Sequence, residues 1–269
     1  MHPKLEAAFA DARAEGRAAL IGYFPAGFPS IEASIDLIAA MVRGGVDIVE
    51  IGLPYSDPLM DGPVIQRAVE QALAGGIRIS DVLHVAAETA KTGAPTLVMS
   101  YWNPIERYGV ERFATELAAA GGVGVINPDL TPEEAGPWTA ATDAAGIART
   151  FLVAPSSTPE RLRIVADATT GFVYAASLMG VTGARTSVSD QARVLVERTR
   201  GVTTRPIAVG LGVSTPEQAT QIAAFADGVI VGSAFVRVAM EAPDHAAAVV
   251  AVEELARALA AGVQRGARA

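Results

Sequence analysis

The sequence predicts an α/β protein whose eight strand–helix units close into a parallel (β/α)8 barrel, with helices added at the N-terminus and between two of the strands. Three observations predict it. The 269 residues, 51% of them apolar, suffice for one sizeable core and match the length of a single barrel of this kind. Short runs apolar on both faces alternate eight times with longer runs of helical period, the pattern of repeated βα units around a parallel sheet. No linker, low-complexity tract or charge run interrupts the chain, so residues 1–269 read as one domain.

Taken in order, residues 5–13 form a flanking helix ahead of the first strand, 19–24. The turn that follows, Tyr23-Phe24-Pro25-Ala26-Gly27-Phe28-Pro29, lacks the G-x-G-x-x-G pattern that an open doubly wound sheet often shows after its first strand. Helix 31–43 leads to strand 46–52, helix 64–73 and an additional helix over 80–92. Strand 95–101, helix 105–120, strand 122–126 and helix 132–145 complete the first half. The second half pairs strand 148–153 with helix 159–168, strand 171–175 with helix 190–199, and strand 206–210 with helix 216–224. Strand 228–231 precedes a helix starting near Ser233, and 245–263 forms a last flanking helix. Thr131-Pro132, Thr158-Pro159 and Thr215-Pro216 each supply a capping hydroxyl followed by a proline suited to the first helical position.

Composition narrows the function. The chain carries a net charge of −8 with no Lys/Arg-rich run, which argues against nucleic acid as a partner. With no cysteine there is no disulfide, thiolate nucleophile or sulfur-bound metal, as suits a reducing cytoplasm, and His2, His84 and His245 share no ligand spacing. The first residues do not read as a signal peptide, and the apolar runs fall short of the roughly 20 residues a membrane helix needs.

Barrels of this type place their chemistry at the C-terminal ends of the strands. There, Glu50 stands inside an apolar strand, on the face it shares with Val46 and Ile48. A carboxyl group buried among apolar neighbours has a raised pKa and can give and take protons near neutral pH. Asp61 follows in a Pro- and Gly-punctuated loop that also holds Asp57, and two carboxylates in unlike environments suit paired acid and base work. A structural hydrogen bond for Glu50, and turn or cap duty for Asp57 and Asp61, are the competing explanations. Late in the chain Gly180-Val181-Thr182-Gly183, Gly210-Leu211-Gly212-Val213-Ser214 and Gly232-Ser233 all follow strands. With the helices beginning near Thr215 and Ser233, they offer backbone N–H groups to a phosphate. Tyr23, Met99, Tyr101 and Tyr174, at or near strand ends, would wall an aromatic pocket or serve as ordinary packing.

The run Val49-Glu50-Ile51-Gly52-Leu53-Pro54-Tyr55-Ser56-Asp57-Pro58, continued by Asp61-Gly62-Pro63-Val64-Ile65-Gln66, closely resembles the α subunit of tryptophan synthase, a TIM barrel. The resemblance extends through Met99-Ser100-Tyr101-Trp102-Asn103-Pro104, Pro128-Asp129-Leu130, Tyr174 and the three glycine segments, and so covers nearly the whole chain. It implies a lyase that cleaves indole-3-glycerol phosphate to indole and glyceraldehyde 3-phosphate in tryptophan biosynthesis, with Glu50 and Asp61 as the catalytic pair. Asp61 would take the indole N1 proton, and Glu50 would move protons at C3 and at the hydroxyl that becomes the aldehyde. Tyr23, Met99, Tyr101, Tyr174 and Thr182 would contact the substrate, and Gly183, Gly212, Gly232 and Ser233 would hold its phosphate. No cofactor is implied in this chain; a pyridoxal-phosphate-dependent β subunit is the implied partner, in an α2β2 heterotetramer, meeting the α chain near Pro54, Asp57, Asn103 and Pro104. The sequence departs from the commoner family pattern at Phe28, at Asn127-Pro128-Asp129-Leu130-Thr131 and at Ser177-Leu178-Met179, none of which is the proposed acid or base. Another phosphate-binding barrel enzyme, and a barrel that only activates a partner, are the alternative readings.

Overall fold

In the computed structural model, which describes residues 1–176, 188–210 and 212–266, the strands form one all-parallel sheet rolled into a barrel. The first half comprises α1 (Pro3–Ala14), β1 (Ala19–Pro25), α2 (Ile31–Arg43), β2 (Ile48–Gly52), α3 (Pro63–Ala74), α4 (Ile79–Ala90), β3 (Thr96–Met99), α5 (Trp102–Tyr108), α6 (Val110–Ala119), β4 (Gly124–Ile126) and α7 (Gly136–Ala145). The second comprises β5 (Ala148–Thr150), β6 (Leu152–Val153), α8 (Pro159–Ala168), β7 (Val173–Ala176), α9 (Val188–Arg200), β8 (Ile207–Gly210), α10 (Pro216–Ala223), β9 (Gly228–Val231), α11 (Ser233–Glu241) and α12 (His245–Arg265).

The strands follow the order β5-β4-β3-β2-β1-β9-β8-β7-β6. β5 and β6 are two pieces of the single strand expected over 148–153, so the order begins and ends in the same stretch of chain. At the break the ladder changes partner: the Thr150 carbonyl accepts from the Asn127 N–H at 3.2 Å, and the Phe151 carbonyl from the Tyr174 N–H at 3.2 Å. The eight-strand barrel therefore closes through this strand, with Phe151 buried in the outer core between sheet and helices.

Strand alternation sorts the side chains into two concentric layers. Inward, Ile21, Ile48, Leu97, Ile126, Ala208 and Ile230 pack together; outward, Leu20, Val49, Ile51, Val98, Val209 and Val229 meet the helices. Glu50 shares the inner face with Ile48. Val46 does not, because it precedes β2 and packs in the outer core. The N-terminal end of the barrel is closed by α1, whose Leu5, Phe9 and Ala12 join the inner layer, Phe9 lying 5.7 Å from the Phe172 ring.

Two helices differ from expectation for local reasons. The helix expected over 105–120 is two helices, α5 and α6, hinged at Gly109, whose φ of +108° no L side chain adopts readily. The helix expected to open at Thr131-Pro132 starts at Gly136. Starting at 132 would bury Pro137 in the helix interior, where its missing N–H and its ring would break the ladder; starting at 136 keeps it in the first turn. Thr131 instead closes a turn, its carbonyl accepting from the Glu134 N–H at 3.1 Å. The other two Thr-Pro pairs cap as expected, Thr158 accepting from the Arg161 N–H and Thr215 from the Gln218 N–H.

Because α1 is the plug under the inner layer, Phe9→Ala is expected to cost about 3–5 kcal/mol of unfolding free energy. Urea denaturation of the variant checks this, and a change under about 1 kcal/mol would mean that the plug contributes little.

Candidate active site

At the open end of the barrel lies a cavity of about 500 Å³ whose wall includes Glu50, Asp61, Tyr23, Met99 and Tyr174 on one side and Gly210, Gly212, Gly232 and Ser233 on the other. Glu50 is presented by the middle of β2, in register with Tyr23 of β1 and Leu97 of β3. It is fully buried, and neither carboxylate oxygen has a hydrogen-bond partner among the described residues. A charged carboxylate there would be stripped of water and given nothing in return, and burial accordingly pushes its pKa up to about 8.

Asp61 comes from the loop between β2 and α3, one residue before the Gly62 cap and Pro63. Its backbone carbonyl accepts from the Gln66 amide at 2.8 Å. The carboxyl group is partly buried, which raises its pKa to about 6, while a hydrogen bond with Tyr101 pulls it the other way. The two carboxyl groups thus sit in unlike surroundings, one holding its proton at neutral pH and the other mostly ionised, an arrangement suited to an acid and a base working on one molecule.

The inner-face glycines make room for the aromatic rings. A Cβ on Gly52 would run into the Tyr23 hydroxyl, and one on Gly210 into the Tyr174 hydroxyl. Burial raises the pKa of both phenols, so they are neutral at physiological pH, with their rings against the cavity. Tyr101, expected around the ring pocket, packs its ring on Tyr55 at 5.3 Å, and its hydroxyl accepts from the Leu59 and Met60 N–H groups.

On the anion side, two helix starts were expected to face a phosphate, and the structure distinguishes them. α10 closes its own first turn: Gln218 Oε1 accepts from the Ser214 and Thr215 N–H groups at 2.8 and 3.3 Å, and Thr215 Oγ1 accepts from the Gln218 N–H. The N-terminus of α11 has no side-chain cap and meets the cavity at Gly232 and Ser233. Its uncapped backbone N–H groups and the positive end of the helix dipole make it the better suited of the two to hold an anion. Gly212, at φ +67°, brings the loop after β8 to the same wall. Gly180, Val181, Thr182 and Gly183, together with Ser177-Leu178-Met179 and Leu211, lie outside the described residues.

Ile65, Ala154, Ala176 and Ile230 also line the cavity and were not singled out from the sequence. Ile230 was within reach of strand alternation, two residues before Gly232 on β9. Ile65 and Ala154 carry no local signal, since small and aliphatic residues are equally common in packing.

The folded pKa of Glu50 lies above its ordinary value of 4.5. The folded chain therefore keeps a proton that the unfolded chain has released, and the stability this contributes is complete below pH about 4.5 and lost as pH rises through about 8. Glu50→Gln does not titrate, so its stability relative to wild type is expected to rise steadily from pH about 5 to about 8.5 in urea unfolding. A difference independent of pH would show that Glu50 ionises in the fold as it does in water.

A model of the tryptophan synthase alpha chain matches residues 9–264. The tryptophan synthase alpha chain of Thermobifida fusca is 60% identical over 262 residues, 96% of this chain and 97% of that one, and that of Salinispora arenicola 58% over 257 residues, 96% of each. Among solved structures, a chain of Mycobacterium tuberculosis tryptophan synthase superposes with a TM-score of 0.89 at 52% identity, covering 97% of this chain and 98% of that one. The Legionella pneumophila subunit alpha gives 0.87 at 32%, again covering 97% and 98%.

Proposed function

The chain belongs to the tryptophan synthase alpha-chain family, and from that premise we propose how its own residues cleave indole-3-glycerol phosphate to indole and glyceraldehyde 3-phosphate. The observation that carries the proposal is the buried Glu50 carboxyl group, unpartnered among the described residues, facing the same cavity as an Asp61 that is mostly ionised at neutral pH.

Indole C3 must be protonated before the bond to the glycerol chain can break. Protonated Glu50 gives its proton to C3 while the Asp61 carboxylate takes the proton from N1, producing the tautomer in which the ring can accept an electron pair. Glu50, now a carboxylate, takes the proton of the hydroxyl on the adjacent chain carbon. That carbon becomes the aldehyde, the C–C bond breaks, and its electron pair returns to the ring as Asp61 gives the proton back to N1. Both carboxyl groups finish as they began, so no external proton is consumed. Glu50 is suited to donate and then accept because its raised pKa lies close to working pH.

Tyr23, Met99 and Tyr174 flank the indole and Glu50 from the cavity wall, and the α11 N-terminus with Gly212, Gly232 and Ser233 binds the phosphate. Thr182 and Gly183, outside the described residues, are assigned to the substrate and phosphate by family resemblance alone. The substrate anion is held by backbone dipoles, which lets a chain of net charge −8 bind it. The chain carries out this step without a cofactor and works with a β subunit, which holds the pyridoxal phosphate and takes up the indole; an α2β2 assembly is the proposed stoichiometry. Residues 1–269 form a single barrel domain in this reading. Among the described residues no helix is long and apolar enough to cross a membrane, and the cysteine-free composition supports a cytoplasmic setting.

Glu50→Gln and Asp61→Asn should each lower indole release from indole-3-glycerol phosphate by about a thousandfold, with and without a β subunit, while leaving the chain folded. Full activity in both variants would sink the mechanism. Wild-type kcat/KM should rise with pH as Asp61 ionises near 6 and fall as Glu50 loses its proton near 8. A profile flat between pH about 5 and about 9 would contradict the assignment.

A further inference from the structure

We propose that Tyr101 is the positioning residue of the Asp61 loop: its hydroxyl accepts hydrogen bonds from the backbone N–H groups of Leu59 and Met60, at 3.1 and 3.0 Å, and so holds the Asp61 carboxyl group at the cavity. The inference rests on reading Asp61 as the group that takes the indole proton.

A phenol offers two lone pairs and one proton. Here both lone pairs receive loop N–H groups, which leaves the proton to turn toward the adjacent Asp61 carboxyl group, whose pKa Tyr101 lowers. One oxygen atom therefore engages two consecutive loop residues directly before Asp61. A proton donated to a carboxylate favours the charged form, the state in which Asp61 can act as a base.

The two sides of this contact differ in rigidity. Tyr101 is 5% exposed, at the end of β3 and the start of α5. Its neighbours are tied on every side: the Ser100 N–H donates to the Ile126 carbonyl at 3.0 Å, the Asn127 amide to the Ser100 carbonyl at 3.0 Å, and the Trp102 N–H to the Asp129 carboxylate at 2.9 Å. The ring rests on Tyr55, whose hydroxyl accepts from the Asn103 amide at 3.3 Å. Leu59 and Met60, by contrast, are 79% and 44% exposed, so burial of their side chains does little to hold the loop. The hydroxyl is the link between this exposed segment and the barrel, while Gln66 holds the Asp61 carbonyl from the α3 side.

Tyr101→Phe removes the oxygen and keeps the ring. In the full chain, amide hydrogen exchange at Leu59 and Met60 should quicken by about tenfold, with the barrel amides unchanged. With a β subunit present, the acid limb of kcat/KM for indole-3-glycerol phosphate should move up by about one pH unit, and kcat should fall by more than KM rises. Unchanged exchange at those two amides, or a pH profile superimposable on that of wild type, would overturn the proposal. If wild type releases no indole, the functional reading fails, and the exchange result still decides whether Tyr101 tethers the loop.

Discussion

A carboxyl group held inside an apolar barrel without a partner is the constraint around which this molecule is organised. Strand alternation fixes Glu50 on the inner face of β2, and the parallel neighbours Tyr23 and Leu97 shut water out on both sides. Nothing among the described residues donates a hydrogen bond to it. Burial of such a group favours its neutral form, so the fold biases its charge at neutral pH. The two apolar layers on either side of the sheet supply the stability that offsets this defect, and α1 seals the end of the barrel opposite the chemistry.

The cavity divides its labour around the barrel. β2 and the loop after it carry the two carboxyl groups; β8, β9 and the start of α11 carry the groups suited to an anion. Keeping these arcs apart matters, because an anion beside Glu50 would raise its pKa further and an ionised Glu50 beside the phosphate would weaken binding. Among the described residues, the wall of the cavity includes no lysine or arginine. The contrast between the self-capped α10 and the uncapped α11 shows how a few side-chain atoms decide which helix end remains available.

The barrel was legible in the sequence because its signals are periodic and repeated: strand and helix phases agreed along the chain, and the glycine segments fell in register with strand ends. Glu50 and Asp61 were legible because a carboxyl group inside a strand, and another in a loop beside it, conflict with ordinary packing. The failures have local causes. A single glycine at φ +108° divides a helix whose apolar pattern runs on unbroken, and Pro137 overrides the start signal at Thr131-Pro132. The hydrogen bonds of the Tyr101 hydroxyl to the loop were not legible, because a strand-end tyrosine has no feature that reveals which way its hydroxyl turns. The helix starting near Thr215 is expected to point its positive end at an anion, and only the structure shows that Gln218 occupies the Ser214 and Thr215 N–H groups.

The proton on Glu50 can be observed without turnover. Carbon-13 NMR of protein labelled at the glutamate side-chain carboxyl, compared with Glu50→Gln to assign the signal, reports the ionisation of Glu50 directly. A single carboxyl resonance is expected to titrate with a midpoint near 8, well separated from the other glutamates. A midpoint below about 5, in the ordinary carboxylate range, would mean that Glu50 is already charged at neutral pH and cannot be the donor to C3.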